Sequence, residues 1–164
     1  MTQHNKYKGS TIIKFLPIIT IIFYSCTDKD SHKSTTYIFN DSGSKIEFTI
    51  FRTGAKVEYQ TRIINVNEKV SIFTSSESPG TSYPASLGDI YDSLLVLFDN
   101  NKVATHYYYG VVGNNPNAIL FTNSRNLFNE KNYEHKIIKD NKRDFEQEFL
   151  YTITEQDYIN AVSN

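Results

Sequence analysis

The chain has no tryptophan, one cysteine, one methionine, four prolines and seven glycines among 164 residues. A single cysteine excludes an internal disulfide framework and any zinc site built from several thiolates. So little glycine and proline excludes collagen-like and low-complexity chains. Neither sign of charge dominates: 17 basic residues stand against 18 acidic ones, a formal charge of −1. A general nucleic-acid binder carries a basic stripe, so nucleic acid is not an expected partner. No apolar run approaches the ~20 residues that a membrane-spanning helix needs. Aromatic residues, by contrast, are plentiful: 12 Tyr and 11 Phe, which favour strands and a packed core. At this length one domain is expected.

The first residues read as an address. Residues 1–14 carry Lys6, Lys8 and Lys14 and no acid. Phe15 to Tyr24 is then a short apolar run, followed by Ser25 and Cys26. A basic start, a short apolar stretch and a small residue at the cut are the parts of a secretory signal, expected as a helix over 1–25. The only cysteine in the chain stands at the end of it. An exported thiol that has no internal partner is well placed to be alkylated.

The four residues Phe23-Tyr24-Ser25-Cys26 resemble the lipobox of a bacterial lipoprotein signal. Ser25 fits the small position, while Phe23 and Tyr24 depart from the usual Leu and Ala/Ser. The resemblance implies a diacylglyceryl group on the Cys26 sulfur, cleavage before it, and a further acyl chain such as palmitate on the freed amine. More than one chain holds stably where one does not. Without the signal, 14 basic and 18 acidic residues remain, a formal charge of −4. Residues 26–36 are polar and without apolar periodicity, and read as the lipidated cysteine with a flexible tether. Acidic residues close behind the cysteine, Asp28 and Asp30, resemble the surface-export signal of Bacteroidetes lipoproteins.

From residue 37 to 164 the strand period dominates, and one β domain is expected. Ile46, Phe48 and Ile50 alternate with Lys45, Glu47 and Thr49. With Tyr37-Ile38-Phe39 before them and Asn40-Asp41-Ser42-Gly43-Ser44 between, they predict a hairpin over 37–51. Residues 57–64 and 70–73 are two further strands, joined by 65–69. Leu94 to Phe98 and Val103 to Tyr109 flank Asp99-Asn100-Asn101-Lys102, where asparagine suits the positive φ of a type I′ turn. Residues 94–98 are apolar on both faces and predict a central, covered strand. Residues 133–139 and 145–153 form a last pair, with Phe149, Tyr151 and Ile153 inward. Thr154 to Asp157 has the spacing of a capping box and predicts a short C-terminal helix. Residues 74–88 and 110–132 lack strand pattern, although Ala118 to Phe121 allows a short strand. Together these elements predict a mostly β fold, an antiparallel sandwich of Greek-key or immunoglobulin-like type.

At the scale of the whole chain, three local features are similar to those of small uncharacterised Bacteroidetes lipoproteins. They are the lipobox, the stretch Asp92-Ser93-Leu94 through Phe98-Asp99-Asn100, and the ending Tyr151-Thr152-Ile153-Thr154-Glu155-Gln156-Asp157-Tyr158. That resemblance implies an outer-membrane or surface location and no particular chemistry.

Catalytic patterns are sparse. His106 and His135 stand alone on strands, without HxH or HExxH spacing. No G-x-S-x-G elbow occurs. Gly110 and Gly113 lack the lysine of a phosphate loop. Glu146/Glu148 and Glu155/Asp157 are the available carboxylate pairs, and such spacing on a strand edge suits a solvated face. No catalytic residue, metal site or cofactor is expected. The most suggestive run is Tyr107-Tyr108-Tyr109, which places one or two rings on each face of a strand. An outward ring there can stack on a sugar or on a partner's apolar surface. The sequence therefore predicts a non-catalytic binding module, held to the membrane by lipid, for a protein or glycan. A toxin- or hydrolase-blocking immunity lipoprotein is the alternative.

Overall fold

The structure, a computed structural model, describes residues 31–52, 58–76, 87–108, 118–141 and 143–163. The signal, Cys26 and Tyr109 lie outside the described residues. The elements run β1 (Ser31–Asp41), β2 (Ile46–Arg52), β3 (Glu58–Ile64), β4 (Lys69–Ser76), α1 (Leu87–Ile90), β5 (Tyr91–Phe98) and β6 (Lys102–Tyr107). They continue with β7 (Ala118–Ile119), a 3₁₀ turn (Glu130–Asn132), β8 (Glu134–Asp140), β9 (Asp144–Thr154), α2 (Glu155–Asn160) and β10 (Val162–Ser163). One sheet has the order β4-β1-β9-β8 and the other β10-β6-β5-β2-β3, with β7 also against β6.

The fold is the expected β-sandwich. Ile38, Tyr151 and Ile153 of one sheet and Ile46, Phe48, Ile50, Leu94, Val96 and Phe98 of the other form the core. Each set alternates along its strand, so one face of each sheet leaves water. Most pairs are antiparallel, but β1 lies parallel to β9 along its whole length, and β6 parallel to β7. The β5–β6 hairpin turns through Asp99 (φ 43) and Asn100 (φ 62), the two positive φ angles a type I′ turn requires. β5 is central, as expected, but covered on one face only: Leu94, Val96 and Phe98 are buried, and Leu95 and Leu97 half-buried. The β8–β9 hairpin buries Phe149, Tyr151 and Ile153 as predicted.

Two expectations need correction. The hairpin over 37–51 does not form: β1 and β2 belong to different sheets. The chain instead crosses the sandwich at Asn40–Ser44, and it crosses back between β3 and β4. Asn40 causes this. Its side chain is fully buried, and Nδ2 donates to the carbonyls of Ser44 (2.8 Å), Ile64 (3.0 Å) and Asn65 (3.2 Å). Its Oδ1 accepts from the Ser42 amide (3.1 Å) and hydroxyl (2.6 Å). One amide thus satisfies both crossings, and Gly43 (φ 75) supplies the sharp bend.

The second correction concerns the tether. The folded domain includes residues 31–36, not only 37 onward, because β1 pairs with β9 from Ser31↔Asp144 onward. Residues 31–36 are polar, yet backbone pairing on both sides holds them in strand. His32, Ser34 and Thr36 point inward, and among the described residues His32 Nε2, Ser34 Oγ and Thr36 Oγ1 are buried without a hydrogen-bond partner. A polar inner face hides a strand from any reading based on hydrophobic alternation.

Candidate functional site

Residues 120–132, between β7 and β8, lack strand or helix period but carry a different repeat. Asparagine recurs at every third position: Asn123, Asn126, Asn129 and Asn132. Each step is one turn. The amides of Asn123, Asn126, Asn129 and Asn132 donate to the carbonyls of Leu120 (2.8 Å), Asn123 (3.1 Å), Asn126 (3.2 Å) and Asn129 (3.0 Å). The side chains repeat a second bond, two residues on. Asn123 Oδ1 accepts from Arg125 (2.8 Å), Asn126 from Phe128 (2.7 Å) and Asn129 from Lys131 (3.1 Å). These are Asx turns in series, and asparagine at the first position of each is what that geometry favours.

Both sheets grip this coil. Buried Asn126 donates to the carbonyls of Tyr107 (3.1 Å) and Ile119 (2.6 Å), which fixes the coil to β6 and β7. His106, from β6, accepts the Leu127 amide at Nδ1 (3.2 Å). From the other side, Tyr133 and Tyr151 donate their hydroxyls to the carbonyls of Leu127 (2.6 Å) and Arg125 (2.8 Å). Arg125 lies over the Tyr151 ring (4.7 Å), donates to the Thr152 carbonyl (2.7 Å), and binds both oxygens of Asp157, with Nε to Oδ1 at 2.9 Å. Asp157 also accepts from the Thr154 amide (2.7 Å), so the predicted cap of α2 anchors the coil as well.

The electrostatics follow from burial. His106 is pushed down to about 3, chiefly by loss of water, with Asp157 opposing and Arg125 assisting. It is a neutral hydrogen-bond acceptor, not an acid or base for neutral pH. Burial pushes the Tyr133 and Tyr151 hydroxyls well above their ordinary value. The bond to Asp157 raises the Arg125 guanidinium further.

Locked in this way, the coil carries one wall of a groove of about 280 Å³, lined by Tyr108, Phe121, Phe128, Asn129, Glu130 and Lys131. Tyr108 meets Phe121 edge-on (5.4 Å) and tilts against Phe128 (5.7 Å). A Cβ placed at Gly88 would come within 2.2–2.4 Å of Tyr108 ring atoms, so a side chain there would force the ring to move. Phe121 and Leu120 at the edge of the groove are 41% and 42% exposed. Of the three tyrosines singled out by sequence, Tyr108 enters the groove. Tyr107 is half-buried and contributes its carbonyl to Asn126. Phe121, Phe128 and the polar edge of the coil were not singled out, and the Asn-x-x spacing was the available signal.

The other candidates are engaged elsewhere. Glu146 pairs with Lys33 (3.3 Å) and Glu148 with Lys69 (3.2 Å), on the outer face of the sheet. His135 stacks on Phe149 (4.6 Å) and bonds Gln147 (2.9 Å). Among the described residues, no three His, Cys, Asp or Glu side chains converge as metal ligands. A second hollow of about 480 Å³ is lined by Gln60, Arg62, Thr74 and Tyr91, among others, and Arg62 already donates to the Ser71 carbonyl (2.9 Å). Comparison with protein-family models, with curated proteins and with solved structures finds no significant match.

Proposed function

We propose that the chain is a non-catalytic binding module of the bacterial envelope, fastened to the outer membrane by lipid on Cys26, and that its groove takes a saccharide. The groove carries this reading. Aromatic rings offer apolar faces to the C–H face of a sugar. Asn129, Glu130 and Lys131 set an amide, a carboxylate and an ammonium around them, the few placed polar groups that fix a ligand's orientation. At about 280 Å³ the groove suits a small ligand, about one or two sugar rings. The wall is held rigid by buried hydrogen bonds, so little entropy is lost when a ligand settles. Glu146, Glu148 and Asp157, three of the four carboxylates in the pairs the sequence offered, are held in ion pairs with Lys33, Lys69 and Arg125.

A glycan array probed with the chain from residue 27 onward tests the proposal. A defined set of saccharides should bind, and Phe121→Ala should weaken binding about tenfold, the loss of one stacking contact. Because Phe121 is 41% exposed, the variant should melt within a few degrees of the parent. An array without binders, or a Phe121→Ala chain that binds like the parent, contradicts the reading.

A further inference from the structure

β3 is the edge strand of its sheet, and its polarity is inverted. Gln60, Arg62 and Ile64 stand opposite Ile50, Phe48 and Ile46, three residues of the core. Side chains directly opposite each other on paired strands share a face. Gln60 and Arg62 therefore point into the sandwich, where apolar residues belong, while Ile63 points out and is 58% exposed. A cation turned inward from an edge strand deters pairing with another chain. That role alone needs neither an orienting partner nor a hollow in front of the charge, and Arg62 has both.

Arg62 reaches across the open side of the sandwich to β4, the edge of the other sheet, where Nη1 donates to the Ser71 carbonyl (2.9 Å). The Gln60 side-chain oxygen accepts from Nε (2.8 Å) and Nη2 (2.5 Å). The reverse orientation of that amide would set N–H against N–H. Both partners are neutral. Among the described residues Lys33, Lys69, Lys139 and Arg125 hold carboxylates, whereas none pairs with Arg62. Of the five N–H groups of a guanidinium, these bonds engage three, which leaves one on Nη1 and one on Nη2. The charge stands in the hollow of about 480 Å³, whose other walls are Ile72, Phe73, Thr74 and Tyr91. Phe73 and Tyr91 meet edge-on (6.5 Å). The volume is that of a small-molecule site, and one fixed charge among apolar walls is its usual make-up.

We propose that this hollow binds a small monocarboxylate with an apolar body, the carboxylate on Arg62 and the body against Phe73. A planar fork of N–H donors matches the two oxygens of a carboxylate. One guanidinium balances one negative charge, and among the described residues no second base lines the hollow to balance a phosphate. Gln60 and the Ser71 carbonyl hold the fork before a ligand arrives, so little side-chain freedom is lost on binding. The site shares no lining residue with the aromatic groove, and it stands whether or not that groove takes a saccharide.

The test is a titration of the isotope-labelled full chain with sodium benzoate at neutral pH. It is read by nuclear magnetic resonance at the Arg62 Nε–H and at the backbone amides of β3 and β4. Benzoate should shift these signals to saturation, with a dissociation constant of about 1–10 mM for so small a ligand. Benzamide, the same ring without the charge, and inorganic phosphate should each bind at least about tenfold more weakly. Arg62→Gln should weaken benzoate at least about tenfold, with the β5 and β6 amide signals unmoved as proof that the fold is kept. Arg62→Lys, which keeps the charge and loses the fork, should fall between the two. Absence of a benzoate shift, or benzamide binding equal to benzoate, overturns the anion site. Phosphate binding as tight as benzoate overturns the choice of carboxylate. Benzoate bound equally well by folded Arg62→Gln overturns the role of Arg62.

Discussion

Asn40 and His106 each hold a place that no apolar residue could fill. Every polar atom of the Asn40 side chain is bonded inside the protein, to two chain crossings at once. Asn40→Ala strands one buried and two part-buried carbonyls and should cost about 2–4 kcal/mol, read from urea unfolding at pH 7. A loss below about 1 kcal/mol would show that the crossings do not depend on this amide. His106 makes a pH prediction. Its folded value, about 3, lies below the ordinary 6.5. As pH falls below 6.5 the unfolded chain takes up a proton that the folded chain refuses, so stability declines from there toward pH 3. Above pH 6.5 this contribution is flat. In His106→Asn, the amide oxygen can accept the Leu127 amide without titrating. Urea midpoints measured from pH 7 to 5 should fall in the parent more steeply than in the variant, and parallel slopes would contradict the assignment. Neither role was legible in the sequence. An asparagine in a Gly/Ser stretch reads as a turn former, and a strand histidine reads as half-exposed, because partners more than twenty residues away define both.

At the scale of the element, the β5–β6 and β8–β9 hairpins were legible because alternation and turn chemistry are local. The sheet to which a strand belongs is not local. The run over 37–51 has the signature of a hairpin, and it becomes a crossing because Asn40 bonds chain twenty-four and more residues away. The coil over 120–132 shows the converse. It has no hydrophobic period, yet its Asn-x-x spacing specifies a chain of turns. Asn126 is its keystone, bonded to β6, β7 and its own third turn. In Asn126→Ala, amides of residues 123–132 should exchange with solvent at least about tenfold faster, while the β2 and β5 amides keep their protection. Uniform loss of protection would mean that the coil is inseparable from the core. Ligand binding should suffer in the same variant, since the groove wall is the coil itself.

For the whole molecule, the sandwich follows from two half-apolar sheets closing on one core. It takes in more of the chain before residue 37 than the sequence predicts. The strand that pairs in parallel with β9 begins in residues with polar side chains, so its register with Asp144 to Gln147 is visible in three dimensions alone. At the opposite edge, β8 is exposed along its length, with Ile137 and Ile138 open to solvent. A bulge between Ile137 and Lys139, with Lys136 and Lys139 beside it, guards that edge against pairing with another chain. The proposed function joins the aromatic groove to the lone thiol, as a sandwich fastened to a membrane by lipid chains bonded to Cys26. Intact-mass analysis of the chain purified from envelopes tests that account most directly. It predicts a polypeptide that starts at Cys26 and is heavier than its sequence by a diacylglyceryl group and one acyl chain. A polypeptide of the unmodified mass, or one that still carries residues 1–25, contradicts it.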